Sequence, residues 1–154
     1  MNRLEIKHLS PYLPYGLKVK YSEGVHYNEF PFNRIDSIDP EGVRISGIEL
    51  WVLFQNIKPI LRSLSDLTKE IEHNGERFVP LEELKRVGLE NIYVFEDLSG
   101  KSHLCLDENN RGPGYTDLML FGLAYYRDKA IEWHFDVFGL IEKGLAININ
   151  DIEI

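Results

Sequence analysis

Cysteine is nearly missing from this chain of 154 residues, and Cys105 stands alone. An internal disulfide and any multi-cysteine zinc site are thereby excluded, and a lone buried thiol is expected. A membrane-spanning helix needs about 20 mostly apolar residues, and no such run exists. Arg127, Asp128, Lys129, Glu132 and Asp136 interrupt the greasiest stretch. The opening MNRLEIKHLS has no apolar signal core, so a cytoplasmic setting is expected.

Catalytic grammar is lacking as well. The sequence holds no GxSxG elbow, no phosphate-binding P-loop and no GxGxxG turn. The five histidines are His8, His26, His73, His103 and His134. None has a second histidine or cysteine at helical or finger spacing, so no zinc site is expected. Asp107-Glu108-Asn109-Asn110 offers oxygen ligands without the spacing or closing glutamate of a calcium loop. Carboxylates are plentiful, yet nothing singles out a glycosidase-like pair. No catalytic residue, metal or cofactor is therefore assigned, and the chain is expected not to be an enzyme. His134, between Trp133 and Phe135, reads as a buried, hydrogen-bonded structural histidine, since a catalytic imidazole also needs a placed partner and a cleft.

Positive charge is scarce and unevenly spread. The net charge is −8. Residues 1–62 hold eight Lys and Arg against seven Asp and Glu, whereas residues 63–154 hold nine against eighteen. An acidic second half repels phosphate backbones. The first half lacks a Lys-Arg cluster in sequence, so a nucleic-acid partner is disfavoured except as a local contact.

What is present is a patterned, globular chain, 44% hydrophobic and 27% charged. Residues 17–62 read as several short strands with close turn signals, such as LKVKY and the turn Asp39-Pro40-Glu41-Gly42. Ser65 reads as a helix N-cap, Asn74-Gly75 as a turn, and Pro80 as the first residue of the helix LEELKRV. Residues 91–95 and 103–106 are strand-like around Ser99-Gly100. Polar Asp128, Glu132, Asp136, Gly139 and Lys143 then recur at helical spacing among apolar residues. That spacing predicts one long helix over 117–143, capped by Thr116 and enclosed on most of its circumference. Gly122 and Gly139 mark points where it could break. Alternating Leu145, Ile147 and Ile149 predict a strand over 145–149.

The expected fold is therefore α+β. A small β-rich subdomain (1–62), an antiparallel sheet or SH3-like barrel, precedes a mixed α/β subdomain (63–154) built on the long C-terminal helix.

Three stretches also carry a resemblance. KPILRSLSDLTKEIEHNGERFVPLEEL (58–84), EWHFDVFGLIEKGLAININ (132–150) and HLSPYLPYGLKVKY (8–21) resemble a family of small uncharacterised phage and prophage proteins of Bacteroides-group gut bacteria. The resemblance implies a mobile-element origin and the cytoplasm of a bacterial host. It carries no known activity and no site residues.

Recognition chemistry is richest in the loop 109–115. Arg111 has the fork geometry to grip a phosphate or carboxylate, and Tyr115 could stack on a base. Both also suit an ordinary solvent loop. Tyr12 and Tyr15 are large amphipathic rings, better read as pins of the lead-in segment than as ligand contacts. The expected function is a non-enzymatic binding protein that docks on a host or phage protein. The alternative is a counter-defence sponge that sequesters a small nucleotide immune signal, with Arg111, Tyr115, Tyr12 and Tyr15 as ligand contacts. No membrane partner is expected, and self-association into a homo-oligomer stays open.

Overall fold

Arg62 and the segment 134–136 lie side by side. The Arg62 amide donates to the His134 carbonyl, and the Asp136 amide donates to the Arg62 carbonyl, both at 2.8 Å. One compact unit therefore comprises Met1–Arg62 and His134–Ile154, and the second, Ser63–Trp133, is inserted in the chain between them. The structure, a computed structural model, describes residues 2–22, 32–47, 50–86, 92–106 and 115–152.

The elements in chain order are α1 (Ile6–Leu9), a 3-10 turn (Ser10–Tyr15), β1 (Lys18–Tyr21), β2 (Phe32–Ile38), β3 (Gly42–Ile45), β4 (Leu50–Leu53) and β5 (Ile57–Leu61). The second unit contributes a 3-10 turn (Leu64–Thr68), β6 (Ile71–His73), β7 (Glu76–Phe78), α2 (Pro80–Arg86), β8 (Ile92–Glu96), β9 (Ser102–Leu106) and α3 (Tyr115–Glu132). The chain then re-enters the first unit and adds β10 (Ile147–Asn148).

In the first unit, six strands form one sheet in the order β10-β5-β1-β2-β3-β4. The β1–β5 pairings are antiparallel, and β10 joins β5 in parallel. Side chains of a strand alternate between faces. Val19, Tyr21, Ile35, Val43, Ile45 and Val52 thus turn inward and are buried, with Leu9, Tyr12, Leu17, Phe135 and Leu140. Each such aliphatic or phenyl side chain contributes roughly 1.5–3 kcal/mol by leaving water.

The second unit begins with Ser63, whose Oγ accepts from the Ser65 amide at 3.3 Å. The turn it opens lasts only to Thr68, where the sequence suggested a longer helix capped by Ser65. Asn74 and Gly75 close the β6–β7 hairpin with φ of 52° and 82°, the left-handed pair that matches hairpin twist. Pro80 opens α2, where its missing N–H has no helical partner to lose. In the β8–β9 turn, Asp97 Oδ1 accepts from the Ser99 and Lys101 amides, and Asp97 Oδ2 contacts His103 Nε2 at 2.8 Å. Buried Leu67, Ile71, Leu81, Leu84, Tyr126 and Ile131 form the core of this unit.

Two parts of the expected architecture are corrected. The sheet is not a self-contained N-terminal antiparallel sheet or SH3-like barrel, since its sixth strand comes from the far end of the chain and runs parallel. The long helix over 117–143 does not exist either. α3 starts at Tyr115, with Thr116 inside it, and ends at Glu132 after 18 residues. His134 (φ 62°) and Gly139 (φ 67°) are left-handed, which a right-handed helix cannot contain. Asp136 is the reason the chain turns: its buried carboxylate accepts from the Leu140 and Ile141 amides, both at 2.8 Å. Nor is α3 enclosed. Leu123, Ala124, Tyr125, Arg127 and Asp128 are exposed, while Tyr126, Ala130 and Ile131 are buried. No helix of the described residues is long and apolar enough to cross a membrane.

Candidate functional site

Inward Val19 and Tyr21 force Lys18 and Lys20 outward on β1. The same alternation turns Phe32, Arg34 and Asp36 outward on β2, Arg44 on β3, Trp51 and Leu53 on β4, and Lys58 on β5. Register then brings these residues together. Lys20 lies opposite Lys58 on one side and opposite Phe32 on the other, and Lys18 lies opposite Arg34. Arg44 lies opposite Trp51. A bulge between Ile35 and Ser37 lets Arg44 face Ser37 across the other edge of β3.

The result is a diagonal cationic band across four strands, β5, β1, β2 and β3, with Phe32 opposite Lys20 and Trp51 on β4 opposite Arg44. From β5 to β3 its cations span three strand spacings, about 14 Å measured along the sheet. Among the described residues of this face, Lys18, Lys20, Arg34, Arg44 and Lys58 are basic and Asp36 is acidic. Two local features shape it. The Lys20 ammonium sits 6.0 Å from the Phe32 ring centroid, a cation–π distance. Gly16, left-handed at φ 68°, lies under Arg34, and a Cβ there would come within 3.5 Å of the guanidinium stem.

Like charges directly opposite one another destabilise a sheet. The Lys20–Lys58 and Lys18–Arg34 pairs therefore act against folding, in a chain whose surface carries an excess of acids. Local choices that break a rule without structural benefit concentrate at functional positions.

A groove of about 670 Å³ lies beside the band, lined among others by Arg3, Glu5, Glu41, Leu53 and Lys58. Its charges are mixed, and Glu5 is engaged by Lys7 at 3.1 Å, a contact that holds the Glu5 carboxyl below its ordinary range. The groove favours no charge class, so the sheet face is the stronger site.

The residues singled out from sequence fall elsewhere. Arg111 lies outside the described residues, and so does the loop 107–110. Tyr115 opens α3, and its side chain is also outside the described residues. Tyr12 is fully buried. Its hydroxyl donates to the Phe135 carbonyl at 2.6 Å and accepts from the Val137 amide at 3.4 Å. Tyr12 thus pins the core. Tyr15 is 39% exposed, and its carbonyl accepts from His134 Nε2 at 2.8 Å. His134 accordingly serves to hold the N-terminal turn. The described residues contain no group of three His, Cys, Asp or Glu placed to hold a metal ion.

The cationic band was missed because its members are far apart in sequence. The available signal was the two-residue period of LKVKY and of VRISGIELWVLF, which turns Lys18 and Lys20 outward on β1, Arg44 on β3 and Trp51 on β4 once the strands are aligned. No protein-family model matches the chain, and no curated protein or solved structure matches it.

Proposed function

We propose that the chain is a non-enzymatic binding protein, of the phage or prophage origin its sequence resembles. It docks through the outer face of the six-stranded sheet on an anionic surface of a host or phage macromolecule. One observation carries this: among the described residues, five cations and one carboxylate share that face, two of the cation pairs in like-charged register, in a chain of net charge −8. Such a patch raises the local concentration of an anionic partner and speeds its encounter.

A small nucleotide is the weaker occupant. Small-ligand sites are concave, with polar groups that converge, whereas these cations spread over four strands of an outward sheet face. Retention on an immobilised polyanion, read against salt, tests the docking proposal. The wild type elutes at higher salt than Lys20→Glu/Arg34→Glu, although both proteins are acidic overall. Equal elution of the two, or passage of the wild type without retention, contradicts it.

A further inference from the structure

We infer that the anionic partner is a single-stranded nucleic acid. This deepens the docking proposal and rests on it. Charge alone would suit an acidic protein equally well, so the aromatic residues decide. Trp51 is 53% exposed on the outward face and sits directly across from Arg44. Phe32, 37% exposed, stands at the opposite end of the band beneath the Lys20 ammonium. Exposed rings interleaved with cations answer the two parts of a nucleotide: phosphate oxygens meet ammonium and guanidinium, and base faces stack on phenyl and indole.

An acidic protein surface supplies carboxylates for the first requirement and leaves the second without a partner. A duplex also fails it, because its bases are already stacked on each other and turn only their edges outward. The shape of the site agrees. The rings and cations of this face point outward, and five cations spread over four strands offer partners to several consecutive phosphates. The net charge of −8 disfavours a strand over the surface at large, and this face gathers cations that offset it.

Fluorescence anisotropy of the full chain tests the assignment with three probes. They are a mixed-sequence single strand of about twelve nucleotides, its duplex, and labelled polyglutamate. The single strand binds most tightly. Engagement of four or five phosphates weakens it about fifty- to a hundredfold between roughly 50 and 200 mM salt. Trp51→Ala, at an exposed position, lowers affinity for the strand by roughly five- to a hundredfold and leaves polyglutamate binding unchanged. Phe32→Leu is the second variant, and thermal melting confirms that each protein folds. Equal binding of strand and polyglutamate, duplex binding as tight as the strand, or neutral ring substitutions would overturn the nucleic-acid assignment and leave anionic docking standing. Failure of the wild type to bind any probe at low salt would overturn both.

Discussion

The hydroxyl of Tyr12 and the carbonyl of Phe135, 123 positions apart in sequence, meet at 2.6 Å in the core of the first unit. That bond ties the N-terminal 3-10 turn to the segment that re-enters after the insertion. The Tyr12 ring also packs edge-on against Phe138, with centroids 6.3 Å apart. Tyr12→Phe keeps the ring and deletes the hydroxyl. The Phe135 carbonyl retains the Val137 amide as a donor, so the expected loss is about 1 kcal/mol. Urea denaturation should show a lower midpoint at unchanged slope, and an unaltered midpoint would show the bond to be dispensable.

Asp136 holds the turn that replaces the expected helix. Each of its carboxylate oxygens accepts one backbone amide, from Leu140 and Ile141. In Asp136→Asn one of those oxygens becomes an NH2 group that faces an amide donor. The substitution should cost roughly 1.5–3 kcal/mol, the range for a hydrogen bond to a charged group. A chemical-denaturation curve that overlays the wild type would contradict this assignment.

Gly42 is required for the edge of the sheet. A Cβ there would run into the Val52 carbonyl on the paired strand β4. Gly42→Ala should destabilise the protein by about 1–3 kcal/mol, as overpacking does. Because β4 carries Trp51, the same variant should also weaken binding of the single-stranded oligonucleotide. Full binding by Gly42→Ala would show that β4 tolerates displacement or that Trp51 makes no contact.

His8 gives stability a pH dependence of definite sign. Its Nδ1 accepts from the Glu5 amide at 3.0 Å, and its ring lies edge-on to Phe138 with centroids 5.6 Å apart. Burial first, and then the charge of Lys7, push its pKa below the ordinary histidine value. The folded state thus binds the proton more weakly than the unfolded chain. The contribution is complete above the unfolded value, near 6.5, and is lost as pH falls through the lowered folded value. Stability should therefore decline from pH 7 towards 5 in the wild type and decline less in His8→Gln. Identical profiles would remove His8 as the cause.

Local chemistry was legible in the sequence, and long-range consequence was not. Asp39-Pro40-Glu41-Gly42 reads as a turn, and Asp39 Oδ1 indeed takes the Glu41 and Gly42 amides at 2.7 and 2.9 Å. Asn74-Gly75 and Pro80 act where their backbone preferences place them. The segment 133–144 misled because the spacing of Asp128, Glu132, Asp136, Gly139 and Lys143 is helical while two of those residues do other work. Asp136 bonds backbone amides through its side chain, which competes with helix, and Gly139 takes a left-handed φ. Polar periodicity cannot separate a continuing helix from a capped turn of similar pitch. The strand at 145–149 shrinks to Ile147–Asn148 because a 3-10 turn takes over at Ile149, with Asn148 Oδ1 accepting the Asn150 amide at 3.1 Å. The cationic face was invisible for a related reason. Lys18, Lys20, Arg34, Arg44 and Lys58 become neighbours only through register, which distant pairings set.

Mapping of amide and indole NMR shifts during titration with the single-stranded oligonucleotide locates the contact directly. Shifts should concentrate at Lys18, Lys20, Phe32, Arg34, Arg44 and the Trp51 indole, and leave Ser63–Trp133 unmoved. Shifts confined to the inserted unit, with the outer sheet face silent, would contradict the assignment of that face as the binding surface.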